Sequence, residues 1–523
     1  MKMHFSAGLT GHRPGWRARL ATLGGVAVLL LAFGPVTRAQ DALPEAVLRA
    51  LAAAQVPPSA LGAAALPLAR QGLPFRHLAH RPMQPGSTMK LVTSIVALDH
   101  LGPNHRGHTR LLSAAPLQGD TLAGDLVLQG GADPELDLPA FWALLLELRQ
   151  QGVRRIAGRL LVDRQAWRPA RPDAGVPPFD ESPEWPYNVI PDALNLAGSL
   201  LTVEMRAPAG SAQVQARLLP PLDGVSIDSR MALDSRPCAQ WRQGWQAALT
   251  TVAADGAVHI TLNGSFPRDC THRASLQLLD RQRLTERLFA TLWRSLGGEW
   301  AGQALEAAAP ADARVLAQRD GRPWGEVLRG MNKHSDNAQA RTLFLALGAA
   351  EAERGAERSG AAADTLGPAR SDPLPTAAWA TRSVERWMAD RHIDPTGLVM
   401  DNGSGLSRSE GISPLQLARM LQAALAGPLA PDLLMSLPVA GVDGTLRSRL
   451  KDGPATGWAR LKTGTLRDVA ALAGVVHDPR GRPWAVAFFV NHAHAARARP
   501  ALDALVNWVA EGGPLDYQQP FPP

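Results

Sequence analysis

The chain has 523 residues, 46% of them hydrophobic, which is enough for a large core and too long for one compact unit without insertions. Its 43 prolines and 48 glycines are spread along the whole length, which argues against a low-complexity bulk. The formal charge of +7 falls to +2 once Lys2, Arg13, Arg17, Arg19 and Arg38 are set aside, and neither a basic stripe interleaved with aromatics nor a Cys/His finger follows, which argues against nucleic-acid binding.

Those five basic residues stand in an acid-free leader. An apolar run from Leu20 to Phe33 and small residues around Thr37 and Ala39 complete it, so residues 1–39 read as a secretory signal cleaved after Ala39. An uncleaved anchor is the other reading, against which the run is short for a spanning helix. No second such run follows, so the mature chain is expected to lack a transmembrane anchor, with peripheral membrane contact left open.

Leu43 to Gln55 has helical periodicity, and Leu61 to Leu78 reads as two short strands about the Arg70-Gln71-Gly72 turn. Pro85-Gly86 opens a helix carrying the apolar run Leu91 to Leu101, which Gly102-Pro103 stops. From about Arg110 to Ala290 short alternating segments predict strand and loop, with a helix near Leu138 to Gln151 and an irregular Pro-rich loop between Pro169 and Pro191. Cys238 and Cys270 are the only cysteines, and in an oxidising compartment they predict a local disulfide; with His272 they do not make a zinc ligand set.

Helical patterning returns at Leu284 to Leu296 and at Trp324 to Leu347, broken at Lys333-His334-Ser335-Asp336-Asn337. Ala352 to Leu374 reads as a surface loop or frayed helix. Trp458 to Lys462, Ala470 to Val476 and Trp484 to Asn491 read as strands, and Ala501 to Ala510 as a closing helix. The fold class expected is α/β (α+β), an antiparallel sheet flanked by helices. A catalytic unit at 40–110 and 291–523 is split by a β-rich region at 111–290, itself read as two nested domains.

Ser87 and Lys90 are three apart at a helix start, so both side chains lie on one face. A serine hydroxyl needs a base, and a desolvated lysine can lose enough proton affinity to be one. The chain has five lysines among far more arginines, and Lys90 and Lys462 both stand in motifs, where a compact ammonium of adjustable pKa is worth more than a guanidinium. Ser335 and Asn337 of the polar break can relay a proton and hold a substrate amide. In Lys462-Thr463-Gly464-Thr465, following a strand, Lys462 supplies positive potential, the threonines bind a carboxylate, and the Thr465 N–H contributes to an oxyanion hole. The pairs His492-Ala493-His494 and His77-Leu78-Ala79-His80 lack carboxylates at ligand spacing, so neither a metal nor a cofactor is expected.

S-x-x-K, S-D-N and K-T-G in this order resemble the triple of penicillin-binding proteins and class A β-lactamases. The 248 positions from Ser87 to Ser335 are too many for a simple β-lactamase. With Leu101-Gly102-Pro103, Gly131-Ala132-Asp133-Pro134, the stretch Asp401 to Arg408 and the stretch Leu437 to Leu446, the chain resembles class C low-molecular-mass penicillin-binding proteins, the D-alanyl-D-alanine carboxypeptidase/endopeptidase family (peptidase family S13).

The resemblance implies a serine β-lactamase/transpeptidase-like domain with β-rich inserts, working in the periplasm. It also implies cleavage of D-Ala-D-Ala termini or D-alanyl-diaminopimelate cross-links of peptidoglycan, with penicillin as a covalent inhibitor. Ser87 would be acylated, Lys90 the base, Ser335 and Asn337 the second element, Lys462 to Thr465 the carboxylate-binding strand, and the N–H groups of Ser87 and Thr465 the oxyanion hole. Some relatives carry an acid after Trp-Pro-aromatic-Asn to meet the stem-peptide amine; here Val189 follows Trp185-Pro186-Tyr187-Asn188, which leaves Asp180 or Asp192 as candidates. Two other functions are compatible with the motifs, a β-lactamase or esterase using the same serine and a non-catalytic wall-binding homologue.

Overall fold

The computed structural model describes residues 42–69, 72–358 and 374–513. The leader, Arg70-Gln71 of the expected turn and most of the 352–374 segment lie outside them.

Five antiparallel strands form the central sheet, in the order Arg460–Leu466, Val469–His477, Pro483–Asn491, Leu61–Pro67, Phe75–His77. Val469–His477 and Pro483–Asn491 are almost continuously apolar and buried along their length, as strands covered on both faces must be. One face, with Leu472, Val486, Phe488 and Val490, packs on Val47 and Leu51 of the helix Glu45–Ala53 and on Leu502, Val506 and Val509 of the helix Arg499–Ala510. The other presents Ala471, Ala473, Ala485 and Ala487 to the helices Met89–Leu101 and Pro414–Leu425. Small side chains on that face let the Pro414–Leu425 helix lie close to the sheet. The Met89–Leu101 helix is buried from Met89 through Leu98 and stops at Gly102, φ 81°.

A second five-stranded sheet has the order Ala304–Glu306, Leu160–Asp163, Leu126–Gly131, His108–Ser113, Arg314–Asp320. Its two outer strands come from beyond residue 290, so the strand-rich segment reaches Asp320 and begins at His108, wider than the expected 111–290. Three smaller sheets lie within it. One is Gln215–Leu219, Leu201–Ala207, Cys270–Leu276; a second gathers Val225–Ser229, Ala232–Asp234 and Trp245–Val252 around Val258–Pro267; the third, of short strands, is Glu299–Trp300, Arg155–Ile156, Thr121–Leu122, Leu117–Gln118. Cys238 and Cys270 form a disulfide with their Cα atoms 5.3 Å apart. Between Pro169 and Trp185 the chain has neither helix nor strand, and one 3-10 turn follows at Pro186–Asn188.

Two local expectations are corrected. The helix expected to end at Leu347 runs from Asn337 to Arg358, because Gly348 lets the helix Thr376–Ala389 pack against it: a Cβ there would stand 2.1 Å from the Thr376 carbonyl. Lys462-Thr463-Gly464-Thr465 does not follow a strand but lies inside one, since Arg460–Leu466 pairs with Val469–His477 along its whole length. None of the described helices is long and apolar enough to cross a membrane.

Candidate active site

Gly86–Thr88 forms a 3-10 turn that runs into the Met89–Leu101 helix and leaves Ser87 half-buried at its mouth. Lys90, one turn on, is fully buried, with Nζ 3.1 Å from Ser87 Oγ, 2.6 Å from Asn337 Oδ1 and 2.5 Å from the Ser404 carbonyl. Among the described residues no carboxylate touches this ammonium. Burial lowers its pKa to about 7 against the weaker pull of Glu410 and Asp336.

Ser335 caps the helix Trp324–His334 in the left-handed region, φ 61°. A non-glycine residue held there is strained, and such strain collects at functional turns. The turn faces Ser335 Oγ to Lys462 Nζ at 2.9 Å, and Lys462 also donates to the Thr463 carbonyl at 2.9 Å. Burial, and then the charge of Lys90, pushes the Lys462 pKa well below its usual value. Asn337 opens the next helix, its Nδ2 donating to the Tyr187 carbonyl at 2.8 Å, which fixes which end of the amide meets Lys90.

Gly464 brings the edge strand against the Ser87 turn. A Cβ at position 464 would stand 2.4 Å from the Pro85 carbonyl and 3.2 Å from the Ser87 nitrogen; one at Gly86 would stand 3.2 Å from the Thr465 nitrogen. The main chains of Ser87 and Thr465 are therefore immediate neighbours, and Thr465 is exposed. Thr463 Oγ1 lies 2.9 Å from Thr445 Oγ1, and Asp443 accepts from Lys333 and from the Val439 N–H, so the 443–445 loop straps the Ser335 turn to this strand. Ser87, Lys90, Ser335, Asn337, Lys462, Thr463, Gly464 and Thr465 thus come together in one cleft. The Cys238–Cys270 disulfide lies in the strand-rich region.

A profile of the D-Ala-D-Ala carboxypeptidase 3 (S13) family matches residues 44–512. The chain belongs to that family. This S13 protein is a serine DD-peptidase. It is 29% identical over 453 residues to a D-alanyl-D-alanine carboxypeptidase of Actinomadura sp. (strain R39), covering 82% of this chain and 77% of that one. It is 25% identical over 412 residues to the D-alanyl-D-alanine carboxypeptidase DacB of Haemophilus influenzae, covering 78% and 80%. In fold it is similar to the crystal structure of penicillin binding protein 4 (dacB) from Haemophilus influenzae, with TM-score 0.68 at 23% identity over 86% of this chain and 96% of that one.

In this S13 enzyme Asp192 is not free to meet a substrate. It is fully buried, 2.6 Å from Arg164 Nε and 3.3 Å from Arg281 Nη1, and it accepts from the Leu194 N–H, so this candidate is corrected to a structural ion-pair member. Asp180 lies in the loop that supplies the Tyr187 carbonyl, accepting from Tyr187 Oη at 2.7 Å and Asn188 Nδ2 at 3.1 Å. Burial raises its pKa, but the bonds from Tyr187, the Ser182 N–H and Asn188 outweigh that and leave it below the usual carboxylate value. The main-chain carbonyls of Tyr187 and Ser404 escaped the sequence reading, because a carbonyl has no side-chain signature; the Ser404 loop was legible only as part of the Asp401 to Arg408 stretch.

Proposed function

We propose that this DD-peptidase hydrolyses D-Ala-D-Ala termini and D-alanyl-diaminopimelate cross-links of peptidoglycan through an acyl-enzyme on Ser87. The observation that carries this is Lys90, buried with no carboxylate of the described residues in contact, its Nζ on both Ser87 and Asn337. With its pKa near 7, a large share of Lys90 is neutral amine at physiological pH. That amine takes the Ser87 proton as Oγ attacks the carbonyl carbon of the penultimate D-alanine.

The resulting oxyanion is held by the N–H groups of Ser87 and Thr465, whose adjacency Gly464 and Gly86 permit. Collapse breaks the peptide C–N bond, and Ser335 Oγ passes a proton to the leaving amine and takes one from Lys462, which the proton that Lys90 took from Ser87 replaces, so both lysines return to their starting states. Lys462 has no counter-charge of its own in the cleft, so a substrate carboxylate arriving beside Thr463, Gly464 and Thr465 supplies one and favours its protonated form. Water then hydrolyses the ester and restores Ser87. In a β-lactam the leaving nitrogen stays tethered to the acyl group, so the ester persists and β-lactams act as covalent inhibitors. A β-lactam complex of the Haemophilus influenzae penicillin binding protein 4 supports this. Asp180, in the loop whose Tyr187 carbonyl meets Asn337, is the candidate contact for the stem-peptide amine. Residues 1–39 are proposed to be an export signal that delivers the enzyme to the periplasm.

The test is mass spectrometry of defined pentapeptide and cross-linked muropeptides incubated with the mature protein and with Ser87→Ala. Loss of a terminal alanine or opening of the cross-link by the wild type alone is expected. Turnover of a penicillin without either would instead mark a β-lactamase, and no acylation at all a wall-binding homologue.

A further inference from the structure

Behind Lys90 the chain buries a carboxylate that the mechanism above does not use. Glu410 is 2% exposed, and its Oε1 accepts from the N–H groups of Asp401, Asn402 and Gly403 at 3.3, 3.0 and 2.9 Å. Those bonds pull the loop into the arc that presents the Gly403 carbonyl to Thr93 Oγ1 at 2.7 Å and the Ser404 carbonyl to Lys90 Nζ at 2.5 Å. The loop is locked from its other side as well, since a Cβ at Gly405 would fall 2.0 Å from the Gly86 carbonyl. The second oxygen, Oε2, is buried without a hydrogen-bond partner.

Burial raises the Glu410 pKa, and the backbone N–H groups of Asn402, Gly403 and Asp401 oppose that by favouring its charged form; an amide in this position could accept the same bonds without that cost, so a carboxylate needs another reason to be there. The charged groups around it are Lys90 on the nucleophile helix, Arg341 on the helix that starts at Asn337, and Asp401 in its own loop; Asp336 also favours the charged form of Lys90, and Lys90 in turn disfavours that of Lys462. Lys90 becomes an ammonium in a dry site when it takes the Ser87 proton. Charge of the opposite sign nearby, within the low-dielectric interior, stabilises that state.

We propose that Glu410 is a positioning residue for acylation: it shapes the loop whose Ser404 carbonyl holds Lys90, and it supplies the buried negative charge that Lys90 faces once protonated. This rests on Lys90 as the base. Removing the charge lowers the lysine's basicity, so the rising limb of acylation against pH moves to lower pH while the plateau falls.

The test is the pH dependence of Ser87 acylation by a fluorescent penicillin, followed in the full-length mature enzyme alongside its melting temperature. Glu410→Gln keeps the acceptor and the volume. Its limb is expected to move down by about one pH unit, its plateau to fall roughly tenfold, and its melting temperature to stay close to that of the wild type. Glu410→Ala, which also frees the loop, is expected to lose both acylation and stability. A Gln variant with the wild-type limb and plateau overturns the proposal, whether or not it melts earlier, because the carboxylate would then serve stability alone. Failure of the wild type to be acylated at Ser87 would instead remove the reading of the site on which the proposal stands.

Discussion

One methyl group at position 464 would push apart the main chains of Ser87 and Thr465, the two halves of the proposed oxyanion hole. The Pro85 carbonyl, 2.4 Å from where that carbon would sit, belongs to the backbone turn that carries Ser87, so the strand or the turn must move. Misplacement of about 1 Å beside a reacting centre costs on the order of 100-fold in rate, while overpacking of this kind costs about 1–3 kcal/mol of stability. Gly464→Ala is therefore expected to stay folded and to slow acylation by a fluorescent penicillin at least 100-fold; an unchanged rate would show that the strand's approach to Ser87 is not used. Ser87, Lys90, Ser335, Asn337 and Lys462 were legible in the sequence because each needs its own side chain at a fixed spacing. Glu410 was not, since no spacing distinguishes a glutamate that bonds backbone amides, and the Tyr187 carbonyl could belong to any residue type.

Among the elements, the segment from Cys238 to Gly244 has the longest reach. The disulfide ties it to the strand Cys270–Leu276, and it carries Trp241, whose ring centroid lies 4.4 Å from that of His272 and 5.8 Å from that of Trp185 in tilted contacts, and Arg242, whose guanidinium sits 3.7 Å over the Trp185 ring. Trp245 completes the cluster, its Nε1 donating to Glu184 at 2.7 Å. Trp185 is two residues before the carbonyl that fixes Asn337. Closing a loop of 32 residues stabilises by about 3–4 kcal/mol on chain-entropy grounds. Cys238→Ser with Cys270→Ser is thus expected to lower the melting temperature by several degrees, and reductant should do the same to the wild type but not to the double variant. Equal melting of all three would show that the aromatic cluster holds the segment unaided. The cysteine pair could be foreseen because there are only two, whereas the tryptophans at 185, 241 and 245 share no periodicity. The Thr463-Gly464-Thr465 run misled in the opposite way: Gly464 reads as a strand end, yet pairing with Val469–His477 carries the strand through it, as the threonines on either side favour.

At the scale of the molecule, the limits of the strand-rich segment between Ser87 and Ser335 were not legible in the sequence, because Ala304–Glu306 and Arg314–Asp320 return over long sequence distances to pair with strands from 108–163. That segment is bound to the residues around Ser87. Its irregular loop is fastened to the catalytic helices by Arg168, which exchanges bonds of 2.8 Å with Thr376, by the Tyr187 carbonyl on Asn337, and by Arg341 Nη1 on the Val189 carbonyl at 3.0 Å. Arg341 is buried, and burial lowers its pKa to about 10 against the pull of Glu410 and Asp401, so it stays charged at neutral pH. Arg341→Met keeps the apolar stem but removes the donors, and the loss of a charged hydrogen bond to a buried carbonyl costs about 1.5–3 kcal/mol. The variant is expected to melt earlier and to acylate more slowly, since Val189 is two residues from the Tyr187 carbonyl. If disulfide, tryptophans, loop and Arg341 act as one unit, combining Arg341→Met with the two serine substitutions should depart from additivity by more than about 0.5 kcal/mol in a double-mutant cycle. Additive losses would mean that the strand-rich region is fastened at independent points, and that the Trp185 cluster stabilises its own sheet without reaching Asn337.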